Sequence, residues 1–174
     1  MQALCILLLA CISQGQLDPQ REAMDLGAKQ CLKATVDGDF RTLADLTHPD
    51  VVKRIGGKEQ MIELVSKGMG EMAKKGTKFA SGQTETPSKL VKGADGLYGV
   101  IPTTLVLDTP VALLTVKSFL IGYSGDDGKT WVYIDGANGA DAIRREFKQV
   151  PEALVLPEKA QPKIDLKQGS AKPE

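Results

Sequence analysis

Residues 111–135 read VALLTVKSFLIGYSGDDGKTWVYID: a long apolar and β-branched run, eight residues of turn chemistry, and a short returning run. Val111 to Tyr123 is rich in Val, Leu, Ile, Phe and Thr and reads as a strand. In the turn, Asp126 and Asp127 can fold their carboxylates back onto backbone amides, and Gly128 can take a positive φ. Thr130 and Trp131 then open a second strand that closes at Asp135. Strand alternation puts Leu113, Thr115, Lys117, Phe119, Ile121 and Tyr123 on one face, and Ala112, Leu114, Val116, Ser118 and Leu120 on the other. Both faces are largely apolar, so one is expected to meet helices and the other a partner or a second chain.

Working outward, residues 77–110 keep the strand character. Lys78 to Thr86 alternates in part before Pro87, and Lys89 to Lys92 and Leu97 to Leu107 flank the four-residue turn Gly93-Ala94-Asp95-Gly96. Upstream the period is helical. Asp18-Pro19 supplies an N-cap and a proline for a helix ending near Asp37-Gly38, and Asp39 caps a short second helix that stops at His48-Pro49. Val51-Val52 reads as a short extended piece. A third helix comes after Gly56-Gly57, with Met61, Ile62, Val65, Met69 and Met72 on one face and Gly76 at its end. Downstream, Asp141 to Gln149 predicts a last helix, and the Pro- and Lys-containing residues 158–174 are expected to be disordered. The order predicts an α+β domain over residues 18–150, with N-terminal helices collected on one face of a strongly curved antiparallel sheet, and a tail from 151 to 174.

Lys plus Arg equals Asp plus Glu at 22 each, which argues against a nucleic-acid surface. Residues 1–15 contain the apolar run Ala3 to Ile12 and then small and polar residues, the outline of a signal peptide, so the chain is expected to be exported, periplasmic or extracellular. Leu8-Leu9-Ala10-Cys11 also resembles a lipobox, and membrane attachment is expected only through lipidation of Cys11. Cys31 alone remains in the folded part; on an apolar helical stripe it reads as a core thiol.

Ser124-x-Asp126-x-Gly128-x-Thr130-Trp131 resembles the Asp-box of bacterial-neuraminidase-repeat proteins. A propeller repeats that box once per blade and this chain carries one copy, so the resemblance implies a stabilised hairpin and no sialidase chemistry. The stretch from Asp18 to Asp135 resembles the nuclear transport factor 2-like, or cone-fold, superfamily. The resemblance rests on the opening helix, the phrase Asp37-Gly38-Asp39-Phe40-x-x-Leu43-Ala44-x-Leu46, the helix entered through Gly56-Gly57, and strands ending in one that contains Trp131. It implies a conical apolar cavity between helices and sheet. Some relatives place an Asp, His or Tyr in that cavity for isomerase or dehydratase chemistry; others have no chemistry there.

The polar candidates are chosen by position. His48 could act as a general base, or serve as a helix-end residue. Asp108 and Asp135 could be bases with a tyrosine hydroxyl as oxyanion donor, or ordinary turn residues. Lys117, Tyr98 and Tyr133 are candidate ligand contacts, with Lys117 either binding an anion inside or lying along the outer sheet. No metal-ligand spacing, phosphate loop or Ser-His-Asp pattern is present, and no cofactor is expected. The expectation is a domain that binds a small apolar ligand or an envelope protein without catalysis, with a homodimer through its sheet. The alternatives are an isomerase, dehydratase or hydrolase acting on a hydrophobic substrate, and a glycan binder using Trp131.

Overall fold

A computed structural model describes residues 18–168. The expected signal segment, Cys11 and the last six residues of the tail lie outside them. The described residues form α1 (Pro19–Asp37), α2 (Phe40–Leu46), α3 (Pro49–Ile55), α4 (Lys58–Lys74), β1 (Lys78–Thr84), β2 (Val91–Lys92), β3 (Leu97–Asp108), β4 (Ala112–Ser124), β5 (Val132–Asp135), α5 (Ala140–Glu146) and β6 (Lys163–Leu166). The six strands make one antiparallel sheet in the order β1-β3-β4-β5, with β2 also on β3 and β6 also on β4, and it does not close. The protein is an α+β fold with helices packed on an antiparallel sheet, as the element order predicts.

Local chemistry explains the helix starts. The Asp18 carboxylate accepts the Arg21 N–H at 3.0 Å, and the Asp39 carboxylate accepts the Thr42 N–H at 3.1 Å. The extended piece expected at Val51-Val52 is instead helical, as part of α3. Pro49 expels only His48 from the α region. α2 stops at Leu46 with Thr47 extended, and at the first helical position the same proline ring favours a new helix, so α3 starts at once after His48.

The two faces of the sheet are covered by different parts of the chain. On one face, Met24, Ala28, Cys31 and Leu32 of α1 pack with Ile101, Leu120, Trp131 and Tyr133. Gly99 and Gly122 are register partners there, and a Cβ on either would come within 2.6 to 2.8 Å of Met24, so this glycine pair makes the slot that seats α1. On the other face, Tyr98, Val100, Phe119, Ile121 and Ile134 pack against Ile143 and Phe147 near α5 and against Val150 and Leu154. Besides the N-terminal helices on the first face, α5 thus covers the second, and the core runs past the expected boundary at residue 150. Arg144 holds the closing segment in place, with Nη1 donating to the carbonyls of Val150 (3.2 Å) and Pro151 (2.7 Å) and Nη2 to that of Leu154. The Phe119 and Ile121 end of the outer face, expected to await a partner, is therefore sealed by the chain itself.

Residues 163–166, expected to be disordered, form β6 on Ala112–Thr115 although all four are exposed. β4 is much longer than β5, which pairs only with Leu120–Tyr123, and its free edge has amides and carbonyls to satisfy; the tail supplies backbone partners without needing a core. In β1, the register shifts between Phe79 and Ser81. That bulge changes the phase of alternation and brings Phe79 to the same face as Gly82 and Thr84.

Candidate functional site

The even-numbered face of β4 does not pack fully against α1. Between them, roofed by α4, lies a cavity of about 350 Å³, a size at the small end of ligand sites. The roof presents Met61, Val65 and Met69, one stripe of an amphipathic helix in which only Met61 is buried. Gly57 at its N-cap gives no side-chain capping bond, and an exposed Lys58–Asp45 pair ties its first turn to α2. The wall from α1 presents Cys31, Leu32 and Thr35, and Phe79 closes the side of β1 through its bulge.

The floor carries the polar groups. Thr103 and Ser118 are register partners and so stand side by side, with Cβ atoms roughly 4.5 to 5.5 Å apart. Leu120 pairs with Asp135, which puts Asp135 diagonally across from Ser118 on the same face. Ser118 Oγ is buried and has no hydrogen-bond partner among the described residues. Asp135 Oδ1 accepts the Ala137 N–H at 2.9 Å. By surface area Asp135 is exposed, but protein atoms crowd around it at the rim of the cavity, and that partial loss of water raises its carboxyl above the usual carboxylate range. Cys31 lies close enough to feel that charge: burial first, and then Asp135, push its thiol up to about 12, so it is an inert lining group.

Of the residues singled out in the sequence, Asp135 and Tyr133 reach this cavity. The Tyr133 hydroxyl is already committed, donating to the Met24 carbonyl at 2.6 Å, and burial raises its pKa. His48 is elsewhere. It caps α3, with Nδ1 accepting the Asp50 N–H at 3.2 Å, and its ring stands edge-on to Tyr123 (5.0 Å) and Phe147 (6.4 Å). Burial lowers its pKa, and its backbone N–H donates to the Tyr133 carbonyl at 2.8 Å, pinning the α2–α3 corner to β5. Tyr98 is buried on the opposite face and donates to Asp95 at 2.8 Å. Asp108 sits at the far end of β3, where a hydrogen bond from Lys167 lowers its carboxyl and Lys78 lies 4.0 Å away. Lys117 is exposed on the outer face, with its register neighbour Thr104. The structure thus does not bring His48, Asp108, Tyr98 or Lys117 to Asp135.

The eight-residue turn is built as a closed hydrogen-bond unit. Ser124 Oγ accepts the Gly128 N–H (2.8 Å) and donates to Asp126 (2.8 Å); Asp126 Oδ1 accepts the Thr130 N–H (2.9 Å) and Oδ2 the Thr130 hydroxyl (2.8 Å). These bonds, the Thr130 amide first, hold the Asp126 carboxyl down at about 2. Gly128 takes φ +83° and its carbonyl accepts the indole N–H of Trp131 at 3.0 Å. Trp131 is buried against α1, so it offers no exposed platform for a sugar.

A larger, more open groove of about 540 Å³ runs between α1 and β1, but its lysines are engaged, Lys29 with Asp25 at 2.6 Å and Lys33 with Asp37. Among the described residues, no three His, Cys, Asp or Glu side chains gather as a metal site, and no helix is long and apolar enough to cross a membrane. No family model matches the chain, and no curated protein matches it.

Sequence reasoning missed Ser118 and Thr103. A signal for Ser118 was present: it is the one hydroxyl on the face Ala112, Leu114, Val116, Ser118, Leu120, which otherwise reads as plain core. Thr103 acquires meaning only through its register with Ser118.

Proposed function

We propose that the protein binds a small, predominantly apolar molecule in the cavity under α4, without chemistry of its own, as an exported member of the cone-fold superfamily. The observation that carries this reading is the lining: mostly aliphatic, thioether and aromatic side chains, with a few threonine and serine hydroxyls and a single carboxyl. A protein built for proton transfer needs a second group aimed at the reacting atoms. Here His48, Asp108 and Tyr98 lie outside the cavity and the Tyr133 hydroxyl is bonded to the backbone.

The second reading is an isomerase-type enzyme with Asp135 as base, favoured by the raised carboxyl in an apolar site. It requires Tyr133 to leave the Met24 carbonyl and serve as oxyanion donor.

Thermal unfolding of the full chain with and without saturating naphthalene, a hydrocarbon without polar atoms, tests the binding reading. A ligand that occupies the folded cavity raises the melting temperature, and Val116→Phe, which fills the floor, should remove that rise. No rise in the wild type, or an equal rise in Val116→Phe, would exclude the cavity as the binding site.

A further inference from the structure

We infer that the cavity floor is a head-group subsite, formed by Thr103, Ser118 and Asp135, that selects apolar molecules bearing one hydrogen-bond-donating group, a hydroxyl or a primary amine. The inference rests on the cavity reading and adds to it the chemistry of the ligand's polar end. Three observations support it. The polar side chains are not scattered: register places Thr103 beside Ser118 and Asp135 diagonally across from Ser118, so one small group can touch more than one of them. Ser118 Oγ is buried with no partner among the described residues, in a fold whose other buried hydroxyls of comparable position, such as Ser124 and Tyr133, are bonded. An orphaned buried hydroxyl is unfavourable in an unliganded protein, and a ligand atom at the floor would satisfy it. Asp135 spends one oxygen on the Ala137 amide and has no further partner among the described residues.

The donor requirement comes from the acceptors present. A carboxyl that keeps a free oxygen lone pair, next to a serine that can donate or accept, matches a hydroxyl, which gives its proton to Asp135 and takes one from Ser118. It also matches an ammonium, which neutralises the carboxylate. A carboxylate ligand would meet Asp135 with like charge at close range. An ether has no proton to give Asp135. The apolar body then lies toward Phe79, Val65 and Met69.

The test is a set of naphthalenes with one substituent at the same ring position: hydroxyl, aminomethyl, methoxy and carboxylate, with naphthalene itself as reference, titrated calorimetrically into the full-length protein at neutral pH. The hydroxyl and aminomethyl compounds should bind roughly tenfold or more tightly than the methoxy compound, and the carboxylate most weakly. Preference for the hydroxyl over the amine would identify a neutral head, and the reverse an ion pair with Asp135. Ser118→Ala should cut the hydroxyl preference and Asp135→Asn the amine preference, each read as the ratio of substituted to unsubstituted naphthalene affinity within the same variant. Equal binding of all substituents, or the carboxylate binding best, with naphthalene still bound, would overturn the subsite while leaving the cavity reading intact. Failure of naphthalene itself to bind would end both.

Discussion

The hairpin at 124–131 and the cavity floor are built on the same two strands, at opposite ends of the β4–β5 pairing, and each holds an aspartate. Asp126 accepts bonds from Thr130 and Ser124 that depress its carboxyl to about 2. Asp135 accepts one amide, faces a void, and has its carboxyl raised by burial. The lesson is that the two aspartates serve opposite ends: one is satisfied by its own neighbours and stabilises the fold, while the other keeps an oxygen open at the cavity and holds its proton more tightly when folded, a mark of groups at functional sites. The same contrast holds for hydroxyls, with Ser124 fully engaged and Ser118 orphaned among the described residues.

Mutations that break the hairpin should have the largest effects. Trp131→Ala removes a buried indole from the α1 contact and should cost about 3–5 kcal/mol in urea unfolding. Ser124→Ala leaves the buried Gly128 amide without its acceptor and should cost about 1–3 kcal/mol by the same measurement. An effect near zero for Ser124→Ala would mean that the turn is held by backbone geometry alone.

The pH dependence separates the aspartates by sign. Asp126 is depressed when folded, so its contribution is complete above the ordinary carboxylate value of 3.8 and is lost as pH falls through about 2. Asp126→Asn should flatten that acid limb. Asp135 is raised when folded, so the folded state holds its proton more tightly, and stability should fall as pH rises from 3.8 through the raised value. Asp135→Asn should abolish that fall and raise the melting temperature at neutral pH. A drop in melting temperature for Asp135→Asn would place Asp135 among the structural residues.

The smallest effect is expected for Ser118→Ala. Its hydroxyl bonds to nothing in the described residues, so chemical denaturation should find stability within about 1 kcal/mol of wild type or slightly above.

Much of the architecture was legible in the chain. Asp18-Pro19 and Asp39 mark helix starts, Gly93-Ala94-Asp95-Gly96 marks the β2–β3 turn, and the Ser124 to Trp131 pattern carries its own hydrogen-bond partners. Pro49 misled in one direction, because its restriction on His48 is visible while its preference for opening a helix takes effect only if residues 50–55 are free to continue that helix. The candidate site was half legible. Asp135 and Tyr133 were singled out and line the cavity, but polar residue type alone could not separate them from His48, Asp108, Tyr98 and Lys117, which face elsewhere.

By itself the sequence determined what is settled over a few residues: caps, turns, strand alternation and the closed bonding of the hairpin, all of which involve groups within about one helical turn or one hairpin of each other. Tertiary structure decided what depends on distant groups meeting. The bulge between Phe79 and Ser81 turns a side chain toward the cavity, Arg144 draws Val150 and Leu154 over the outer face, and β6 takes the free edge of β4. Cys31 on α1 comes near Asp135 at the end of β5, and Thr103 stands beside Ser118, only because strand register and helix seating fix those separations. Whether a polar side chain is spent or left open to a cavity is a property of that packing, since burial and hydrogen-bond satisfaction are set by neighbours that the local sequence does not contain.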